Sequence, residues 1–248
     1  RVGGFAVTGH NPTKATNYQF LKVTADSTRI LTKNAESGFS VGNINSGLSD
    51  NYLKLTKDNY FIGHEAGRNT TTPGRNLLIG YQSGYFNDYG DYNVFLGYQT
   101  GYNNVSGRIN NIIGYQSAFS NKTGDYNNII GYKAAFNDTN PQRNVILGFE
   151  AAMNTESNYS SIIIGAQAGR TNRINSSSVA IGTSAAEQTD RLLHSVLIGE
   201  YAGGFCDTTE NDVFIGDQAG LNIQNSYANV FVGKGAGRGM THGGYNVL

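Results

Sequence analysis

Few side chains in this sequence are of the kinds that do covalent or metal chemistry, and they do not gather. The four histidines, His10, His64, His194 and His242, fall at unrelated positions. A metal or catalytic histidine site needs such groups to converge, so none is expected. Asp207, Glu210, Asp212 and Asp217 form a loose acidic group. The glycine-rich nonapeptide that binds Ca²⁺ in repeat proteins is missing, and a solvated loop is the plainer reading. Gly233-Lys234-Gly235-Ala236-Gly237 looks like a phosphate loop but lacks the closing Lys-Ser/Thr. Cys206 is the single cysteine and sits in a loop, which rules out an intrachain disulfide and a cysteine-based metal centre. No catalytic residue, metal or cofactor is expected.

What does recur is aromatic and amide. Tyr81, Tyr98, Tyr115, Tyr132 and Phe149 follow one another at a constant spacing, with Gln82, Gln99 and Gln116 one residue behind. Stacked rings beside amides could hold a glycan or a protein receptor through apolar faces and amide hydrogen bonds. The plainer reading is a stabilising aromatic ladder. Later in the chain the same position holds Ala166, Thr183, Glu200, Asp217 and Lys234. The backbone therefore does not require an aromatic there, which leaves room for a binding patch on the first half.

The spacing belongs to a repeat. Gly63, Gly80, Gly97, Gly114, Gly131, Gly148, Gly165, Gly182, Gly199, Gly216 and Gly233 are each 17 residues apart, without a slip. One before each glycine stands Ile, Leu or Val, from Ile62 to Val232. Two before it stand Phe61, Leu78, Phe95, Ile112, Ile129, Ile146, Ile163, Ala180, Leu197, Phe214 and Phe231. Four before it run Asn59, Asn76, Asn93, Asn110, Asn127, Asn144, Ser161, Ser178, Ser195, Asp212 and Asn229. A small pair follows three and four after the glycine, and polar turn-rich segments such as Asn121-Lys122-Thr123-Gly124-Asp125 separate the repeats.

Seventeen residues cannot hold two helices with their turns, so the helical solenoids are excluded. Short β-branched or aromatic segments bounded by Asn and Gly read as strands. The expected fold is all-β: a parallel β-solenoid, or β-roll, with one repeat per coil. Coils rise about 4.8 Å each, so eleven make about 50 Å of shaft. The Asn column (Asn59, Asn76, Asn93, Asn110, Asn127, Asn144, Asn229) then forms a structural amide ladder that fixes a turn.

Adjacent strand residues face opposite ways, and both columns before the glycine are apolar. One must line the coil; the other would leave a long apolar stripe in water, beyond what a soluble monomer exposes. Copies of the same chain around the shaft axis would cover it with like coils level. The uniform Ile/Leu/Val column is assigned to the coil interior. The size-varied column (Phe61, Leu78, Phe95, Ile112, Ile129, Ile146, Ile163, Leu197, Phe214, Phe231) is assigned to the interface of a homotrimer. The alternative is a monomer wide enough to bury both faces, for which a 17-residue coil leaves little room.

The chain resembles a known family at these columns. Ser178-Val179-Ala180-Ile181-Gly182 is the pentapeptide of YadA-like head repeats in trimeric autotransporter adhesins. Asn111-Ile112-Ile113-Gly114-Tyr115-Gln116-Ser117-Ala118 resembles a longer "G-Y-Q-A" variant, found also in surface proteins and phage tail fibres. The resemblance covers residues 59 to 248. It implies a left-handed parallel β-roll in a tight homotrimer, with no enzymatic role: an extracellular or cell-surface segment that attaches to a host or cell surface. The repeat is a few residues longer than the YadA type and no stalk or membrane anchor is recognisable. A phage or contractile-injection tail fibre, displayed on the particle surface, is therefore the alternative.

Residues 1–58 lack the 17-residue frame and read as an irregular β cap of two duplicated units. Gly4-Phe5-Ala6-Val7 echoes Gly38-Phe39-Ser40-Val41, and the segment 20–26 echoes 52–58. Residues 59–248 are read as the eleven coils, with Asn246-Val247-Leu248 opening another, as if cut mid-coil.

The composition of the 248 residues agrees. There are 33 Gly and 30 Asn against 3 Pro, which suits tight turns rather than disorder. Eighteen Lys+Arg balance eighteen Asp+Glu. That leaves neither the basic surface of a nucleic-acid binder nor a pull toward anionic membranes. No apolar run is long enough to insert directly into a membrane as a helix. Two other solenoid functions lack their residues. An ice-binding face needs a Thr column, and a solenoid acyltransferase or lyase needs a His or carboxylate constellation. The expected partners are two further copies of the chain and an unidentified protein or glycan receptor.

Overall fold

In a computed structural model, residues 21–23, 28–30, 39–43, 50–72 and 74–248 are described. Among them every regular element is a strand and there is no helix. The first members of the cap duplication, residues 4–7 and most of 20–26, lie outside the described residues.

The repeat forms a β-solenoid of about eleven turns. Four strands precede the regular coils: β1 (Leu21–Val23), β2 (Thr28–Ile30), β3 (Phe39–Asn43) and β4 (Asp50–Leu55). The coil strands are β5 (Tyr60–Ile62), β6 (Leu77–Ile79), β7 (Val94–Leu96), β8 (Asn111–Ile113), β9 (Asn128–Ile130) and β10 (Val145–Leu147). They continue, alternating with a second set, as β11 (Ser157–Tyr159), β12 (Ile162–Ile164), β13 (Ile174–Ser176), β14 (Val179–Ile181), β15 (Arg191–Leu193) and β16 (Val196–Ile198). The last are β17 (Thr208–Glu210), β18 (Val213–Ile215), β19 (Asn225–Tyr227), β20 (Val230–Val232) and β21 (His242–Gly244).

Pairing is parallel and in register from β5 to β20, so each column sits on itself: Phe61 on Leu78, Leu78 on Phe95, Phe214 on Phe231. β1 and β2 pair antiparallel in a sheet of their own. β3 and β4 also pair antiparallel, and β4 adds antiparallel to β5. That hairpin covers the backbone edge the first coil would otherwise leave open.

The structure reverses the sequence assignment of the two apolar columns. Phe61, Leu78, Phe95, Ile112, Ile129, Ile146, Ile163, Leu197, Phe214 and Phe231 do not line an intermolecular interface. They fill the inside of a single chain's coil, each at most 2% exposed. The uniform column faces outward, from Ile62 and Ile79 to Ile215 and Val232, and is half-buried or exposed. The reason is the period of two. The Asn column is buried because its amides bond turn carbonyls inside the roll. A residue two positions along the same strand must share that face. Opposite the Phe column pack the small residues of the turn, such as Ala66, Ala118, Ala134 and Ala168.

The anchor glycine is required by stacking. Gly97 has φ 141°, and a Cβ built on it would lie 2.2 Å from the carbonyl oxygen of Gly114 in the next coil. Each coil then turns through left-handed residues two and four after the anchor, as at Gln116 (φ 51°) and Ala118 (φ 47°).

The coils come in two classes. Ten residues after the anchor, the early coils hold Gly90, Gly107, Gly124 and Pro141, and this side carries no strand. From Asn158 on, that position points a buried side chain inward: Asn158, Asn175, Leu192, Thr209, Ser226. There a second, six-stranded parallel sheet begins, running β11, β13, β15, β17, β19, β21. A side chain on the inner face gives the segment something to bury, and once the sheet is under way it continues over Gly243 in β21.

Candidate functional site

The outer surface of the early coils is where the aromatic and amide residues come together. Gly and the left-handed residue after it turn the chain sharply off the end of each strand, and the residue between them projects outward. That places Tyr81, Tyr98, Tyr115, Tyr132 and Phe149 in one stack. Successive centroids are 5.1, 5.0, 5.3 and 5.2 Å apart and the planes lie within 11° of parallel. His64 closes its lower end edge-on against Tyr81 at 5.5 Å.

Beside the stack runs an amide chain. Gln116 Nε2 donates to Gln99 Oε1 and Gln99 Nε2 to Gln82 Oε1, both at 2.8 Å. Gln82 Nε2 donates to the Glu65 carboxylate at 2.7 Å. Backbone rungs hold the same turn, for example Gln99 N–H to Tyr81 O at 2.8 Å. Each amide keeps one further N–H and one lone pair that the ladder does not use.

A second aromatic stack was not singled out from sequence. Tyr85, Tyr102, Phe119 and Phe136 lie five residues after their anchors, with centroids 5.0, 5.0 and 5.1 Å apart. Its signal was the same 17-residue spacing, masked by the change from Tyr to Phe. Lys133 Nζ lies 5.5 Å from the Tyr132 ring and 5.3 Å from the Phe136 ring, so one side chain spans both stacks. Burial, with Tyr85 and Tyr81 close by, pushes the Tyr102 hydroxyl above its ordinary range.

Parallel stacking alters what this surface offers. The ring faces are turned to one another, so a partner meets ring edges, phenol oxygens and amides. The expected contact through apolar faces is left only at the ends of the stacks. Edge-presenting phenols and free amide groups suit a polar, hydrogen-bonding partner.

Next to the stacks lies the outer face of the long sheet. Two columns project there, the uniform aliphatic one and the column three before the anchor (Leu77, Val94, Val145, Val179, Val213), which is polar at Asn111 and Asn128. Tyr60, Ile62, Ile162, Ile215, Val230 and Val232 are all at least 38% exposed. In the later coils the flank of this face turns polar: Lys234 pairs with Asp217 at 2.9 Å.

The remaining candidates are dispersed. His194 and His242 are exposed on different coils and His10 lies outside the described residues. Asp212 is buried in the Asn column, while Asp207 and Glu210 are exposed. Among the described residues no three His, Cys, Asp or Glu are grouped to hold a metal ion. Cys206 lies in a loop between strands, as its sequence position suggested, but is buried in the coil, and burial pushes its thiol up to about 12. No helix among the described residues is long and apolar enough to cross a membrane. Comparison with known protein families, curated proteins and solved structures returned no match for this chain.

Proposed function

We propose that this chain is a non-enzymatic attachment segment of a trimeric surface adhesin, a shaft in which three copies pack along the outer face of the long sheet. The observation that carries the reading is the outward aliphatic column from Ile62 to Val232, unbroken over all the coils, with a second column beside it that is aliphatic except at Tyr60, Asn111 and Asn128; the described chain leaves both half-buried or exposed. An apolar face of that length exceeds what a soluble monomer normally exposes. Because its residues repeat in register, rotation about an axis parallel to the shaft brings like coils together at every level. The left-handed roll of YadA-like heads has this design, and the Ser-Val-Ala-Ile-Gly and Gly-Tyr-Gln signatures support the same assignment. The aliphatic columns then form the trimer interface, and the Tyr and Gln ladders, at its margin, remain available to a receptor outside the cell.

Light scattering on purified protein tests the assembly: the expected mass is three chains, and a monomer at micromolar concentration overturns it. Attachment is tested by coating the trimer on beads and measuring retention of cells or matrix-coated surfaces. Retention no greater than with uncoated beads overturns the adhesive role while leaving the trimer standing.

A further inference from the structure

Inside the roll, seven residues after the anchors, runs a second buried polar column: Asn87, Asn104, Asn121, Asp138, Thr155 and Asn172. Its lower part is an amide chain, with Asn121 Nδ2 donating to Asn104 Oδ1 at 3.2 Å and Asn104 Nδ2 to Asn87 Oδ1 at 2.5 Å. A separate chain descends from above. Asn172 Nδ2 donates to Asn175 Oδ1 at 2.8 Å, Asn175 Nδ2 to Asn158 Oδ1 at 2.7 Å, and Asn158 Nδ2 to Asp138 Oδ2 at 2.7 Å. Asp138 Oδ2 also accepts the Asn158 N–H and Oδ1 the Asn140 N–H, both at 3.0 Å. The upper chain thus ends on one fully buried carboxyl, one coil above Asn121, where the glycine-lined coils give way to those with the second sheet.

The geometry points to Asp138 as a proton-sensitive seam between the two coil classes. Below it, Asn121 and Asn104 each hand a hydrogen to the oxygen of the member beneath, and Asn121 Oδ1 accepts the Gly124 N–H at 2.7 Å; the register step between Asp138 and Asn121 carries no such bond. An ionised carboxylate has no hydrogen for that step, and a neutral carboxyl has one. Neutral, Asp138 ends the upper chain without placing a charge inside the roll. Ionised, it leaves a charge there that no cation offsets, since the groups acting on it are the neutral Asn140 and Asn158 and its column neighbours Asn121 and Thr155 are neutral as well. Deprotonation then makes the coils around residues 138–158 part more readily.

Burial agrees with this, raising the carboxyl from its ordinary 3.8 to about 7 against the opposing pull of its hydrogen bonds. A raised acid favours the closed form most fully below its ordinary value. That advantage is lost as pH climbs through the raised one. By linkage, local opening should increase about 30-fold between pH 5.5 and 8.5.

Hydrogen–deuterium exchange of the full chain, corrected for intrinsic rates, tests the seam. Peptides spanning residues 139–161 should lose protection by about 30-fold over that pH range, while peptides spanning 93–113 should change little. Infrared spectra should show a protonated-carboxyl band lost over the same range. In Asp138→Asn the local pH dependence should vanish and the band should weaken to what the second buried carboxyl, Asp212, contributes. Asn158→Ala, which removes one donor to the carboxylate, should move the transition to higher pH and serves if Asp138→Asn does not fold. Equal pH dependence in the two segments, or no protonated-carboxyl band in the wild type at pH 5.5, overturns the proposal.

Discussion

Phe95 and Gly101 share one space in their coil: a Cβ on Gly101 would lie 2.6 Å from the edge of the Phe95 ring. The same relation holds between Phe61 and Gly67, Phe214 and Gly220, and Phe231 and Gly237. Ile112, Ile129 and Ile146 face alanine, at 118, 135 and 152, while Ile163 faces Gly169, where a Cβ would meet the Ile side chain at an ordinary 3.5 Å. A Phe core residue therefore requires glycine in its turn, whereas an Ile core residue leaves room for a methyl group there.

Gly101→Ala should destabilise the roll by about 1–3 kcal/mol, through overpacking against Phe95. Phe95→Ile should lose less in the Gly101→Ala background than in the wild type, since Ile with Ala is the pairing of the next coil. A double-mutant cycle by chemical denaturation checks this, and additive losses would count against it.

Neighbouring residues should behave oppositely. Ile112→Asp buries an unpaired charge in the coil and should abolish folding of that region. Ile113→Asp, on the outer face, should keep the β circular-dichroism signal and disrupt association. Light scattering with circular dichroism on both variants checks the pair.

The buried Asn column predicts a similar contrast. Asn110→Ala removes donors to Gly124 O (2.7 Å) and Asn93 Oδ1 (3.1 Å), and strips Asn127 of its acceptor. A loss of about 1–3 kcal/mol is expected. Asn111→Ala, one residue on, removes only an exposed amide pair with Asn128 and should change stability by less than about 0.5 kcal/mol. Thermal melts of the two variants decide it.

Cys206 is buried, with its Sγ 3.2 Å from Gly220 O. A thiol held at about 12 stays protonated at ordinary pH. Iodoacetamide at pH 8 should leave it unmodified in the folded protein and alkylate it fully in denaturant, as mass spectrometry would report. Rapid native labelling would mean that this coil opens.

Seventeen-residue spacing was enough to specify short strands, stacked coils and columns of like residues. Once a chain closes one coil per repeat, register forces each residue onto its counterpart. The Tyr and Gln rows were legible for the same reason. Which apolar column lies inside was not legible from hydrophobicity, since Ile112 and Ile113 are the same residue. The clue was parity with the Asn column and size-matching with the turn, and both are relations between positions rather than properties of one. The sequence already offered the Tyr row as a stacked ladder; only the tertiary structure decided that the planes lie within 11° of parallel, because residue type does not record the tilt of a side chain. It alone brought Asp138 and Asn158, 20 residues apart, into contact, since that meeting depends on a side chain entering the coil where earlier repeats have glycine.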